Sequence, residues 1–127
     1  MPVVLVVDDD LNQRLLYEQE LRDAGYAVVV ASSGPEAIEI VAQGGIDVVV
    51  LDIAMPGMDG VECLTKLLDI DRQLPVILNT AYANFKHDFM TWAAEAYVVK
   101  SSDLGELLGH VAEACRKRGV EPPSAPE

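Results

Sequence analysis

The chain has 127 residues, half of them hydrophobic, which suits one folded domain with a full core and excludes a disordered chain. Its formal net charge of −12 lacks the basic surface that nucleic acid or an anionic membrane requires, and suits a cation or a partner with basic rims. Two cysteines, Cys63 and Cys115, make no disulfide framework, no apolar run is long enough to span a membrane, and no basic region followed by an apolar core opens the chain; a cytoplasmic protein with buried free thiols is expected.

Apolar runs alternate with helix-period stretches along the chain. Residues 3–7 predict a first strand, which runs straight into Asp8, Asp9 and Asp10. A helix over about 11–24 follows, with Leu15, Leu16 and Leu21 as its expected core residues, Asp10 as its N-cap and Gly25 as its stop. Residues 26–31 predict the second strand, and 32–45 a helix with Ser33 near its N-cap, Pro35 in its first turn and Gly44-Gly45 at its end. The third strand, 46–52, again ends in an acid, Asp52. A loop rich in turn residues (54–60) leads to a helix opened by Asp59 and Gly60 and running to about Asp71. Pro75 introduces the fourth strand, 76–80. A helix over about 84–94, a fifth strand over 96–100 and a last helix, capped by Asp103 and ending near Arg116-Lys117-Arg118-Gly119, complete the series. Residues 1–119 form the domain, and 120–127 read as a Pro-rich flexible tail or the stub of a linker.

Five βα units with nearly uninterrupted apolar strands imply an α/β fold: a doubly wound, five-stranded parallel sheet with five flanking helices. Ligands bind such sheets outside the carboxyl ends of the strands. The residues there are Asp8, Asp9, Asp10, Asp52, Thr80 and Lys100. Clustered carboxylates cannot all ionise without a proton or a cation among them. A hard divalent ion such as Mg²⁺ accepts their oxygens, and with the Lys100 ammonium and the Thr80 hydroxyl it suits a phosphoryl group. A carboxylate also serves as nucleophile, and Asp52 stands alone at the end of a central strand. No glycine-rich phosphate loop occurs.

The segments VLVVDDD, VVVLDIAMPGMDG, VILNTA and AYVVK, in this order and spacing, resemble the receiver domain of two-component response regulators over about residues 3–118. The resemblance implies the strand order 2-1-3-4-5, for which a receiver is itself a standard example. It implies Asp52 as phosphoacceptor and Mg²⁺ held by Asp8, Asp9, Asp52 and the backbone carbonyl of Ala54. Thr80 and Lys100 would bind the phosphoryl oxygens, and Tyr97 would be the switch aromatic. The implied donor is a sensor histidine kinase or a histidine phosphotransfer protein. Output would pass to an unknown protein from a monomer or weak dimer, with neither nucleic acid nor membrane as partner. Such a chain catalyses only its own phosphorylation and dephosphorylation.

Three departures from the family pattern stand out. Ser101 follows Lys100 where proline is usual, and a cis bond there would cost roughly 3–4 kcal/mol, so a trans bond is expected. The span from Thr80 to Tyr97 is about two residues short, in the region of the usual output face. Ala54 and Tyr82 flank the phosphate site without an acid or amide to position water, which implies a moderately long-lived phosphoryl group. These departures motivate one rival, a receiver-like interaction module independent of phosphorylation. A second rival is an Mg²⁺-dependent aspartyl phosphohydrolase, disfavoured because Ala54 stands where such enzymes carry a second acid. Phe85, Phe89 and Trp92 are read as core, His87 and His110 as isolated, and residues 116–118 as a solvated helix end.

Overall fold

The computed structural model describes residues 1–52, 60–81, 94–100 and 104–123. Its elements are β1 (Val3–Val7), α1 (Leu11–Asp23), β2 (Ala27–Ala31), α2 (Gly34–Ala42), β3 (Val48–Leu51), α3 (Gly60–Ile70), β4 (Val76–Thr80), β5 (Ala96–Val99) and α4 (Gly105–Arg118). All strand pairs are parallel, in the order β2-β1-β3-β4-β5. The doubly wound sheet and its order are therefore as expected. The helix expected over 84–94, with Phe85, His87, Phe89 and Trp92, lies outside the described residues.

Valine-rich β1 and β3 and the apolar β4 are buried on both faces, as interior parallel strands require. Side-chain alternation divides their residues between two cores. Leu5, Val7, Val49, Leu51, Val76 and Leu78 pack with Ala37 and Val41 of α2 and Cys63, Leu64 and Leu67 of α3. Val4, Val6, Val48, Val50, Ile77 and Val98 pack with Tyr17 and Leu21 of α1 and Leu107, Val111, Ala114 and Cys115 of α4. Both cysteines are buried and free, and burial pushes the Cys63 thiol up to about 11.

The caps follow the sequence at two helices. Asp10 Oδ1 accepts from the N–H groups of Asn12 and Gln13 at α1, and Ser33 Oγ from that of Glu36 at α2. At α4 the N-cap position is Leu104, which makes no side-chain capping bond; Asp103 lies outside the described residues. The C-terminus of α4 closes in a Schellman motif, with Gly119 at φ +84° and bonds from Gly119 N to Arg116 O and from Val120 N to Cys115 O.

The expected inner face of α1 needs correction. Leu21 is fully buried, but Leu15 and Leu16 are 53% and 44% exposed, and Leu11 is also outside. The buried stripe runs through Tyr17 and Leu21, one turn apart, with Ala24 beside it. Tyr17 takes the place a leucine was expected to fill because its hydroxyl donates to Gln13 Oε1 (3.0 Å) while its ring enters the core.

The ends of the strands opposite the acids are tied by charge. Asp47 Oδ2 accepts from Val3 N (2.8 Å), Lys117 pairs with Glu95, and Arg118 pairs with Asp71 (2.8 Å). Arg116 and Lys117 are solvated as expected, whereas the Arg118 side chain is only 21% exposed. His110 lies on the surface of α4 near Glu106. Gly25 has φ +101°, and a Cβ there would come within 2.7 Å of the Pro123 ring, so glycine admits both the turn and the approach of Pro123.

Candidate functional site

The sheet reverses its winding between β1 and β3, and the acids sit at that switch point. Asp8 follows Val4 and Val6 in the alternation of β1, Asp52 follows Val48 and Val50 of β3, and Lys100 follows Ala96 and Val98 of β5. All three thus project to the α1/α4 side of the sheet, and their side chains meet. Lys100 Nζ donates to Asp8 Oδ2 (2.7 Å) and Asp52 Oδ2 (3.1 Å). Asp8 is 2% exposed and Asp52 7%, while Asp9 is exposed. Carboxylate oxygens of Asp8, Asp9 and Asp52 lie within 4.8 Å of one another.

The backbone sets this arrangement. Asp8 N bonds Ala31 O and Asp52 N bonds Val7 O, which fixes the two acids to neighbouring strand ends. Lys100 N bonds Thr80 O at 2.7 Å, so the ammonium is carried on a strand registered to β4. Thr80, fully buried, has the alternation of Val76 and Leu78 and so lies toward the α2/α3 side, as does Tyr97, whose half-buried ring packs against that core.

Burial alone would push the Lys100 ammonium's pKa down. The bond to Asp8 and the charges of Asp52 and Asp8 outweigh it and hold the pKa above its ordinary value. Among the described residues, one ammonium faces the three carboxylates, an excess of two formal negative charges. Oxygen-only donors, close-set and under-neutralised, fit a hard divalent cation such as Mg²⁺.

The structure thus brings together Asp8, Asp9, Asp52 and Lys100, with Thr80 at the adjoining strand end. Asp10 is turned to the N-cap of α1. Ala54, Asp59, Tyr82 and Ser101, and with Ser101 the bond that follows Lys100, lie outside the described residues. Lys100 nonetheless reaches Asp52. One contact was not anticipated from the sequence: Arg14 Nη1 donates to Asp8 O at 2.9 Å. The available signal was a cation in the first turn of a helix, where the dipole disfavours it.

Comparison with known proteins agrees with this geometry. The family model of the response regulator receiver domain matches residues 4–112. The sporulation initiation phosphotransferase F of Bacillus subtilis is 39% identical over 106 residues, covering 82% of this chain and 86% of that protein. The transcriptional regulatory protein PrrA of Mycobacterium tuberculosis is 36% identical over 128 residues, covering 99% of this chain and 55% of that protein. The chain spans about half the length of the transcriptional regulatory proteins YkoG and PrrA and about a quarter of that of ZraR. The response regulator TrrA of Thermotoga maritima, solved with Mg²⁺ and BeF, superposes with a TM-score of 0.87 at 39% identity, over 90% of this chain and 99% of that one. The same regulator in complex with the histidine kinase ThkA gives 0.85, also at 39% identity, over 90% and 98%.

Proposed function

The chain belongs to the response regulator receiver family, and from that premise we propose that it accepts a phosphoryl group on Asp52 from a histidine kinase or histidine phosphotransfer protein. The observation that carries the proposal is the convergence of Asp52 with Asp8, Asp9 and Lys100 at one strand end. A carboxylate oxygen of Asp52 attacks phosphorus, an O–P bond forms, the N–P bond of the phosphohistidine breaks, and the imidazole leaves. Asp8, Asp9 and Asp52, with the Ala54 carbonyl, would hold Mg²⁺, which when bound offsets the charge of the phosphoryl oxygens. Lys100 carries its ammonium from Asp8 toward a phosphoryl oxygen, and the Thr80 hydroxyl donates to another. Tyr97, on the same side of the sheet as Thr80, answers that movement and remodels the face around β5 for a protein partner.

A donor protein must cover Asp52 to deliver the group. The exposed Leu11 and Leu15, one turn apart beside the acidic loop, give it an apolar landing surface of the kind a partner helix fits. We place the protein in the cytoplasm, where Cys63 and Cys115 stay reduced.

The test is the intact mass after incubation with Mg²⁺ and acetyl phosphate. One added phosphoryl group, absent in Asp52→Asn and after chelation, is expected. A mass unchanged with acetyl phosphate and with a panel of phosphorylated kinases would overturn the proposal.

A further inference from the structure

We propose that Arg14 is a positioning residue for the acidic loop, aiming Asp9 at the cation; this rests on the Mg²⁺-dependent reading of the site given above. Arg14 lies in the first turn of α1, where the helix dipole disfavours a cation. Its side chain runs back toward the helix N-terminus, as helical side chains do, and Nη1 reaches Asp8 O at 2.9 Å. That oxygen lies past the end of the β1 ladder, whose last bonds are Asp52 N to Val7 O and Asp8 N to Ala31 O. The peptide group is planar, so holding Asp8 O also holds the N–H and Cα of Asp9. Asp9 is exposed and has no core packing to direct it.

The rest of the loop is already committed. Asp8 Oδ1 accepts from Asp10 N (2.9 Å), Asp8 Oδ2 from Lys100, and Asp10 caps α1. Arg14 is the side chain that reaches from the helix to the Asp8–Asp9 peptide. It orders the loop before any cation arrives, so the cation's affinity is not spent on ordering it. The charge of Arg14 has the opposite influence, since a nearby cation repels a metal ion. Removing Arg14 therefore weakens metal binding if it positions the loop and tightens it if it acts only as a charge.

The experiment is calorimetric titration of Mg²⁺ into the wild-type chain and into Arg14→Met, Arg14→Gln and Arg14→Lys, paired with acetyl phosphate labelling across Mg²⁺ concentrations. Arg14→Met and Arg14→Gln are expected to weaken Mg²⁺ about tenfold, the lower end of the range for groups that orient metal ligands. Their labelling rate should return to within about twofold of wild type at saturating Mg²⁺, which a general folding defect would not allow. Arg14→Lys should recover part of the loss. Unchanged or tighter Mg²⁺ binding in whichever neutral variant folds, or a rate deficit that persists at saturation, would overturn the assignment. Failure of the wild type itself to bind Mg²⁺ or take the phosphoryl group would instead overturn the function on which it rests.

Discussion

The two ends of the same sheet handle charge in opposite ways. Where the strands begin, charged groups have close local partners: Asp47 takes the Val3 amide, Glu95 has Lys117, and Asp71 has Arg118. The basic residues there come from the C-terminus of α4, where the helix dipole favours them. Where the strands end, the buried Asp8 and Asp52 share the Lys100 ammonium, and the exposed Asp9 lies beside them. The first arrangement is closed and complete. The second leaves capacity for a cation and a phosphoryl group, held in place by the same ladder bonds that order the core. Stability is favoured at one end and chemistry at the other, and the difference makes the two ends respond differently to mutation, metal and pH.

Lys100→Met gives the largest contrast. Removing the ammonium leaves Asp8 and Asp52 buried side by side, a loss on the order of 3–4 kcal/mol in the absence of metal, since the orphaned charges must take a proton or pull water in. Mg²⁺ at about 10 mM should restore at least half of it by supplying the missing positive charge. Urea unfolding with and without the ion measures both. A loss independent of Mg²⁺ would mean that the acids do not share a common cation. The pH dependence has a definite sign. Burial pushes the Lys100 pKa down, but the Asp8 bond and the two carboxylate charges raise it above the ordinary 10.5. Its stabilisation is therefore complete below 10.5 and is lost only as pH rises through the higher folded value.

The strand order came through the family resemblance, whereas the strands and the acidic end were legible because each rests on a local pattern: valine runs, turn residues, and acids placed directly after strands. The inner face of α1 was not. Leu15 and Leu16 look like core by residue type, yet Tyr17 takes the buried position by satisfying its hydroxyl on Gln13. Arg14 escaped for a related reason: its partner is a backbone oxygen, which a side-chain pattern does not show. Lys100 and Asp8, 92 residues apart, were placed at one rim of the sheet by the rule for the carboxyl ends of parallel strands, but the bond between them is a matter of strand register that the sequence does not show. The two sides of α1 can be separated by substitution. Leu21→Ala should cost about 2–3 kcal/mol through the cavity it leaves. Leu15→Ala should stay within about 0.5 kcal/mol. Leu15→Asp should slow phosphotransfer from a partner kinase while leaving acetyl phosphate labelling intact, and equal slowing of both would remove the landing surface proposed for α1.

Arg118→Met probes the closed end and carries a smaller expected effect than Lys100→Met or Leu21→Ala. The Arg118–Asp71 pair is partly exposed, with 21% and 34% of the side chains accessible, and a second bond from Arg118 to Ile46 O is long at 3.5 Å. A loss of about 1 kcal/mol at neutral pH follows, well below that for Lys100. The Asp71 carboxyl is held below its ordinary 3.8, chiefly by its hydrogen bond to Arg118, against a smaller opposing effect of burial. A lowered folded pKa stabilises above 3.8, and the contribution disappears as pH falls through the folded value. The difference between Arg118→Met and wild type should therefore shrink in acid. It should also be blind to Mg²⁺, because the pair lies at the opposite ends of the strands from the acids. Any Mg²⁺ dependence of the Arg118→Met loss would show that the two ends are energetically coupled through the sheet, and the division between a stabilising end and a reactive end would no longer hold.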